Sequence, residues 1–289
     1  MQKKIFYWCP FIDKVATVKS VTNSALALQK KIDNSNRIII LNAMGEWDRY
    51  KAELSKQGLE FYNLTEHKLL KKIKLRGFIF SRINYLLIFL FTVYPLYRLI
   101  KKEEPKYIIA HLLTSVPMFL FSLINFKTKL IIRVSGLIKF NIFRKIFWNF
   151  SIKKIKLIFS PTIDSLNDLR KKFSSYENKI FLLRDPIISI SKVHKESLEK
   201  CILDKNYYIA IGRLTKQKNF ILLCEAVKEL KYTYKKNLLI KILGDGEEKD
   251  KILSYIKANN IEENIKLLDY KKNVFKYLKK AKALISTSL

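Results

Sequence analysis

The chain is poor in glycine, proline and cysteine, with 7 Gly, 6 Pro and 3 Cys among its 289 residues. So few glycines and prolines exclude a collagen-like or low-complexity protein. The cysteines, Cys9, Cys201 and Cys224, are odd in number and lack CxxC spacing, which argues against a disulfide framework and a zinc site. We therefore expect a reducing, cytoplasmic setting.

Acidic residues are also scarce. The 25 Asp and Glu are outnumbered by 56 Lys and Arg, giving a formal net charge of +31 at neutral pH. Such a surface attracts polyanions, anionic lipids or phosphorylated ligands, and charge alone does not choose among them. The 49% hydrophobic and 28% charged residues are typical of a globular protein, and the length predicts one large or two ordinary domains.

A long uninterrupted apolar run is missing. The most apolar segment, between Arg82 and Arg98, has 15 residues and contains Asn84 and Pro95. A bilayer span needs about 20 apolar residues, so this segment predicts a buried helix, with an interfacial helix between basic residues as the alternative. The apolar stretch near the amino terminus is broken at Pro10, and we expect no signal peptide.

Short β-branched runs alternate with longer segments of helical period, which predicts parallel α/β structure. Several predicted strands, such as 37–41 and 238–243, are almost continuous hydrophobic runs, as in sheets with helices on both faces. The alternation is interrupted once by a polar, charged stretch. We therefore expect two facing Rossmann-like, doubly wound domains, residues 1–190 and 207–289, joined by a linker at 191–206, with ligands beyond the carboxyl ends of the strands.

Two glycine turns follow consecutive predicted strands of the second domain. The first begins at Gly212, reads GRLTKQKN, and enters a helix with Asn219 as a candidate N-cap. Phosphate is favoured beside the free N–H groups and positive dipole of such a helix. Arg213 offers a planar fork and Lys218 a point charge to the anion. Basic surface residues beside a helix cap are the alternative interpretation.

The second turn has two glycines in three residues, Gly244 and Gly246, with Asp245 between them and Glu247 after them. Glycine permits positive φ and lets the backbone approach a flat or anionic ligand closely. An ordinary strand-to-helix turn is the alternative. Two such turns on consecutive strands are harder to ascribe to chance.

Together these segments resemble the retaining nucleotide-sugar glycosyltransferases of family 4, which have the GT-B architecture. The motifs are GRLTKQKN at 212–219, ILGDG at 242–246, NIKLLDY at 264–270 and YLKKAKALISTS at 277–288. The resemblance implies that Arg213 and Lys218 hold the donor diphosphate. The residues that it places around the nucleotide are Gly212, Gly244, Asp245, Gly246, Glu247 and Tyr270.

The chain departs from this family in two ways. Family members continue beyond the position of Leu289 with two glutamates, seven residues between them, that hold the donor sugar and ribose. The resemblance therefore implies a chain truncated at its carboxyl end and inactive or impaired. Many members also have a His-Gly pair where this chain has Ser135 and Gly136, so contacts to sugar or acceptor would pass to Ser135 or Arg133.

Two further candidates lie in the first domain. His111 ends a predicted strand at the edge expected to face the cleft, where proton transfer or a hydrogen bond to a sugar hydroxyl is chemically sensible near neutral pH. A hydrogen-bonded strand-end histidine is the alternative. Lys14 lies in the loop after the first strand, where related enzymes often carry glycines that touch donor phosphate. The candidate catalytic residues are thus His111 and Ser135, and Lys14 is a third candidate for diphosphate binding.

Residues 139–150 repeat apolar side chains at helical spacing, at Phe143, Ile146, Phe147 and Phe150, with basic residues among and after them. An aromatic face with a basic rim suits an anionic membrane. An ordinary helix facing the core is the alternative.

These features favour transfer of a sugar from a nucleotide diphosphate donor to a lipid-linked saccharide in surface polysaccharide biosynthesis (O-antigen, capsule or lipopolysaccharide). We expect a peripheral protein on the inner face of the plasma membrane, with the donor, the acceptor and anionic lipid as partners and no nucleic acid. The nucleotide sugar is a substrate, so no cofactor is expected, and no metal is needed if the cations at 213 and 218 compensate the leaving charge. The alternatives are a non-enzymatic polyanion-binding protein, against which the dispersed basic residues argue, and a GT-B sugar-nucleotide epimerase.

Overall fold

Two parallel sheets organise the chain in a computed structural model, one in each of two compact units, Met1–Ile187 and Ile188–Leu289, here called unit 1 and unit 2. The residues that the structure describes are 3–11, 16–31, 36–65, 78–201 and 206–289. The alternation of strands and helices predicted from the sequence is present in both units.

Unit 1 contains a seven-stranded parallel sheet. Its strands are β1 (Lys3–Trp8), β2 (Asn36–Asn42), β3 (Glu60–Asn63), β4 (Tyr107–His111), β5 (Lys129–Arg133), β6 (Ile155–Ser160) and β7 (Ile180–Leu182). They lie in the order β3-β2-β1-β4-β5-β6-β7, so the direction of winding reverses between β1 and β4. In doubly wound sheets, ligands bind beyond the carboxyl ends of the strands at such a reversal.

Helices cover both faces of this sheet. They are α1 (Ala16–Lys31), α2 (Asp48–Ser55), α3 (Phe78–Glu103), α4 (Ser115–Leu123), α5 (Ile142–Ser151) and α6 (Ile163–Lys172). Side chains of β1 alternate between two cores, because successive residues of a strand point to opposite faces. Phe6 and Trp8 join the core formed with α3 to α6, while Ile5 and Tyr7 join the core formed with α1 and α2.

Unit 2 contains a three-stranded parallel sheet in which β9 (Ile240–Leu243) lies between β8 (Tyr208–Ile211) and β10 (Ile265–Leu267). Its helices are α7 (Ile190–Ser197), α8 (Phe220–Tyr232), α9 (Lys249–Ala258) and the single turn α10 (Phe275–Leu278). Along the other edge of β8, Ile209 forms a single parallel bridge with Leu284.

The boundary between the units lies at residues 187 and 188, whereas the sequence placed a linker at 191–206. The predicted linker range begins inside α7. This helix belongs to unit 2, where Asn273 donates from its side-chain amide to the carbonyl of Glu196 over 2.8 Å. Because α7 is short and mostly polar, its sequence lacks the periodic apolar pattern of a longer helix and predicts a linker instead.

The segment predicted as a buried helix is α3, and it is only half covered. Ile88 and Leu96 on its inner side are buried, whereas Leu86 and Leu90 on its outer side are exposed. The side chains of this helix are apolar around its whole circumference, but the sheet and the neighbouring helices cover only its inner side. Among the described residues, one helix is long and apolar enough to cross a membrane by length and composition, over Ile83–Glu103 with a mean hydropathy of 1.6.

Candidate functional site

The first glycine turn of unit 2 leaves the carboxyl end of β8 and leads into α8. Leu214 is fully buried and anchors the turn, and its N–H donates to the carbonyl of Asp245 over 3.0 Å. Lys216–Lys218 form a short 3-10 turn, and Asn219 follows in the left-handed region at φ +48°. Asn219 occupies the predicted N-cap position, but its side chain makes no capping hydrogen bond. The first N–H groups of α8 therefore have no side-chain cap from this residue.

The two cations of this turn differ in their surroundings. Arg213 is exposed, and within the described residues its guanidinium has no hydrogen-bond or ion-pair partner. Lys218 is half-buried, and its Nζ donates to the Ser288 hydroxyl over 3.3 Å. Thr287 and Leu289 also bond to the turn, through the carbonyls of Lys218 and Gln217 at 3.0 and 2.9 Å. The structure thus places the Arg213 guanidinium and the Lys218 ammonium group on one turn at the end of β8.

The second glycine turn packs directly against the first. A Cβ on Gly244 would lie 1.8 Å from the carbonyl oxygen of Gly212, and one on Gly246 would lie 2.4 Å from that of Leu214. Neither glycine has a positive φ, so the left-handed backbone anticipated from the sequence is not their role. They are required because the backbones of two neighbouring turns are in contact.

A third turn, after β10, completes this edge of the sheet. The N–H of Gly244 donates to the carbonyl of Asp269 over 3.1 Å, and Lys249 pairs with the Asp269 carboxylate at 2.6 Å. The hydrogen bond and charge of Lys249 hold the pKa of Asp269 below its usual range. Tyr270 follows and is exposed. Three turns from adjacent strands therefore form one continuous surface, with the predicted nucleotide residues on all three.

Asp245 and Glu247 are exposed on the second turn, and the Asp245 carboxylate accepts the N–H of Gly246 over 2.9 Å. Next to them, Glu248 is buried, and its N–H donates to the carbonyl of Leu214 over 2.9 Å. The two exposed carboxylates lie beside the basic turn without occupying it. Such carboxylates can accept hydrogen bonds from the hydroxyl groups of a ribose or a sugar.

In unit 1, His111 ends β4 and is only 1% exposed. Burial, with a smaller effect of the Arg133 charge, lowers its pKa to about 3, so the imidazole is neutral near pH 7. Its ring stacks on that of Tyr7 at a centroid distance of 6.1 Å, and its Nε2 has no hydrogen-bond partner among the described residues. Of the two roles anticipated for His111, this environment favours hydrogen bonding over proton uptake.

Of the other candidates in unit 1, Arg133 lies opposite His111 on the neighbouring strand. Arg133 ends β5, is buried, forms an ion pair with Asp185 and donates to the carbonyl of Leu183 over 3.1 Å. Asp185 also accepts the Ser20 hydroxyl at 2.9 Å, so Arg133 fastens the end of unit 1 to α1 rather than standing free for a sugar. Ser135 is exposed two residues later. Lys14 lies outside the described residues.

Sequence reasoning missed Glu46, in the turn after β2. Its carboxylate oxygens accept the N–H groups of Ala43 and Met44 at 2.9 and 2.7 Å. The carboxyl group is enclosed although the residue as a whole is half-buried, and burial outweighs these two donors and raises its pKa to about 7. No spacing or motif in the sequence marks this residue.

The raised pKa makes the stability of unit 1 depend on pH. The folded state favours the protonated carboxyl, so this contribution is complete below the ordinary value of 4.5 and is lost as pH rises through about 7. We expect the free energy of unfolding to fall by up to about 3 kcal/mol from this group between pH 4.5 and 8, and Glu46→Gln to flatten that slope. Denaturant titrations at several pH values measure it. Glu53→Gln, on the exposed side of α2, should leave the slope unchanged, and an unaltered slope in Glu46→Gln would contradict the assignment.

Comparison with known proteins finds similarity to glycosyltransferases over the unit that contains these turns. Residues 195–289 match the family described as Glycosyl transferases group 1. A curated relative from Campylobacter jejuni, N-acetylgalactosamine-N,N'-diacetylbacillosaminyl-diphospho-undecaprenol 4-alpha-N-acetylgalactosaminyltransferase, is 35% identical over 127 residues, 44% of this chain and 33% of the relative. The chain thus aligns with about a third of that protein's length.

Solved structures extend the likeness to the whole chain. A glycosyltransferase from Rickettsia africae has a TM-score of 0.67 at 14% identity, covering 99% of this chain and 73% of its own. A mutant of S. aureus TarM in complex with Fondaparinux, alpha-GlcNAc-glycerol and UDP has a TM-score of 0.65 at 16% identity, covering 99% and 81%. These similarities confirm the predicted GT-B-like α/β fold, and the family match supports the predicted glycosyltransferase.

Proposed function

We propose that this chain serves a retaining sugar transfer of the family 4 type, from a nucleotide diphosphate donor to a lipid-linked saccharide in surface polysaccharide biosynthesis. The observation that carries the proposal is the edge formed by the three turns after β8, β9 and β10. On it, Lys218 stands beside the start of α8 together with Arg213, which is exposed and has no ion-pair or side-chain hydrogen-bond partner in the part of the chain that the structure describes. A basic turn before a helix amino terminus is a binding site for phosphate.

In the proposed reaction, Arg213 and Lys218 bind the two phosphates of the donor. The bond between the anomeric carbon and the β-phosphate oxygen breaks, and a new bond forms from that carbon to an acceptor hydroxyl on the same face. The proton of this hydroxyl passes to the leaving diphosphate. Cations held at the leaving group stabilise the charge that develops there, and their effect is largest where water is excluded.

The residues of unit 1 have supporting roles in this proposal. His111 is neutral, so its Nε2 suits a hydrogen bond with a sugar or acceptor hydroxyl. In this reaction His111 does not have to accept a proton, because the leaving diphosphate takes the proton of the acceptor hydroxyl. Ser135, exposed after β5, is proposed to contact the same substrate. For the acceptor, support comes from the C. jejuni relative, whose name contains a diphospho-undecaprenol.

Two rival functions make different predictions. A GT-B epimerase would also bind the nucleotide sugar but release a free sugar without an acceptor, and the match of residues 195–289 to glycosyl transferases favours transfer. A polyanion-binding protein would bind nucleic acid with a steep salt dependence and without competition from a nucleotide sugar.

Nucleotide binding tests the proposal without requiring turnover, which matters because the glutamates implied by the resemblance are not among residues 1–289. We expect UDP or GDP, at about 100 times its dissociation constant, to stabilise the protein by about 2.7 kcal/mol and raise its melting temperature by several degrees. The matching nucleoside monophosphate at equal concentration should shift it much less, since it lacks the β-phosphate. Equal shifts by mono- and diphosphate would contradict a diphosphate site.

A further inference from the structure

The outer face of α3 carries a stripe of exposed apolar side chains. Leu86, Leu90 and Tyr94 are 58%, 58% and 62% exposed, at a spacing of four residues that aligns them on one side of a helix. Soluble proteins rarely leave a row of large apolar side chains in water, because each loses the free energy that burial provides. This stripe therefore marks a surface that contacts something.

A second stripe lies on α5. Phe143 is 82% exposed, and Ile142, Ile146 and Phe150 are exposed with it, whereas Trp148 on the other side is buried. Asn141 caps the amino terminus of this helix, because its side-chain oxygen accepts a hydrogen bond from the N–H of Arg144 over 2.8 Å. The segment at 139–150 is therefore a stable helix that presents aromatic and aliphatic side chains to solvent.

The two stripes belong to one layer of helices. Phe89 of α3 packs on Phe119 of α4 with ring centroids 5.3 Å apart, and Ser122 of α4 donates to Ser151 of α5 over 2.9 Å. All three helices bury their inner sides in the same core. Their exposed sides thus face away from the sheet together, with Leu123 of α4 also exposed between them.

The described segment that contains these three helices is strongly basic. Residues 78–163 include fourteen lysines and arginines but only two acidic residues, Glu103 and Glu104, at the end of α3 and just after it. Arg144 and Lys145 are exposed on α5 itself. Apolar side chains between cations match the acyl region and the anionic headgroups of a bilayer, with each cation near the surface contributing to attraction.

The inner side of α3 decides how it meets such a membrane. Ile88, Leu96 and Ile100 are buried in the core of unit 1, and a helix crossing the bilayer would have to give up these contacts. The length of α3 permits a span, but its packing favours lying flat. Leu86, Leu90 and Ile146 also argue against single-stranded nucleic acid, because its bases stack on aromatic rings and aliphatic side chains offer no such platform.

We propose that the outer faces of α3 and α5 form one docking surface that lies on an anionic lipid bilayer. The surface is defined by Leu86, Leu90, Tyr94, Phe143, Ile146 and Phe150. It deepens the proposed function and rests on it for its role, because it would hold the chain where a lipid-linked acceptor is found. Binding to lipid and binding to nucleotide involve different units, so they are measured independently.

The test is flotation of the whole chain with two kinds of vesicle. One contains phosphatidylcholine alone, and the other contains phosphatidylcholine with about 30% phosphatidylglycerol, which makes its surface anionic. We expect binding to the anionic vesicles only. Leu86→Ser/Leu90→Ser and Phe143→Ser/Ile146→Ser should each weaken it by about tenfold or more, since each variant removes two side chains from the acyl boundary. The control Leu222→Ser/Leu253→Ser, at exposed positions of unit 2, should bind as the original chain does.

A second variant guards against misfolding. Phe143→Trp keeps the side chain apolar, and its fluorescence should be quenched by brominated lipid in anionic vesicles. UDP binding should be unchanged in all surface variants. Unaltered vesicle binding by both serine variants, or displacement from vesicles by RNA at equal charge, would overturn the inference. If the original chain binds UDP but no vesicles, the docking surface is wrong while the proposed function stands. If it binds anionic vesicles but not UDP, the proposed function is wrong while the docking surface stands.

Discussion

Arg213→Ala is expected to weaken binding of UDP or GDP by about 1.5–3 kcal/mol, roughly 10- to 150-fold, the range for a hydrogen bond to a charged group. The guanidinium is exposed, has no partner among the described residues, and stands on the turn between β8 and α8. Removing it breaks no side-chain hydrogen bond or ion pair between described residues, so the loss should appear in nucleotide affinity and not in stability. Isothermal titration calorimetry on the folded variant measures the affinity.

The matched control is Lys228→Ala, which removes a cation from an exposed position in the middle of α8. It lowers the net charge of the chain by the same amount but lies two turns from the helix start. We expect it to change nucleotide affinity by less than about twofold, because exposed charges beyond a Debye length are screened. An equal loss in both variants would show that overall charge, and not a diphosphate site, attracts the nucleotide.

Gly244→Ala is expected to destabilise unit 2 by about 3 kcal/mol or more. The added Cβ would lie 1.8 Å from the carbonyl oxygen of Gly212, and that neighbour is backbone held by the N–H of Gly212 donating to Leu243 over 3.0 Å. Relief requires the two turns to separate, which also opens the surface that carries Arg213. The variant should therefore lose both stability and nucleotide binding.

Gly212→Ala provides the comparison. Its Cβ would meet the side chain of Lys218 at 3.4 Å, an ordinary contact with a flexible chain. We expect it to cost less than about 1 kcal/mol in the free energy of unfolding. Urea denaturation of the two variants tests the difference, and equal stability of Gly244→Ala and Gly212→Ala would show that the turns are not packed as described.

The fold was predictable because its signals are local. Hydrophobic strands alternating with periodic helices predict a parallel sheet, and glycine turns mark where β8 and β9 end. The reason for Gly244 and Gly246 was not predictable, since the contact between two turns joins residues about thirty positions apart. The sequence shows that glycine is present, whereas the structure shows which carbonyl oxygen it faces.

Burial was the property least accessible from sequence. The run around Leu86 and Leu90 is apolar on every side, so no pattern shows that the core of unit 1 covers only its inner half. His111 gives the opposite case, a polar residue enclosed at a strand end, where burial and the Arg133 charge together lower its pKa to about 3. Both outcomes depend on neighbours brought from distant parts of the chain.

The central claim is that the turn between β8 and α8 holds a diphosphate. A crystal structure of the chain with UDP or GDP bound tests it most directly. We predict the β-phosphate within hydrogen-bond distance of the Arg213 guanidinium and the Lys218 ammonium group, beside the first N–H groups of α8. A nucleotide bound elsewhere, or these two side chains turned away from its phosphates, would contradict the claim.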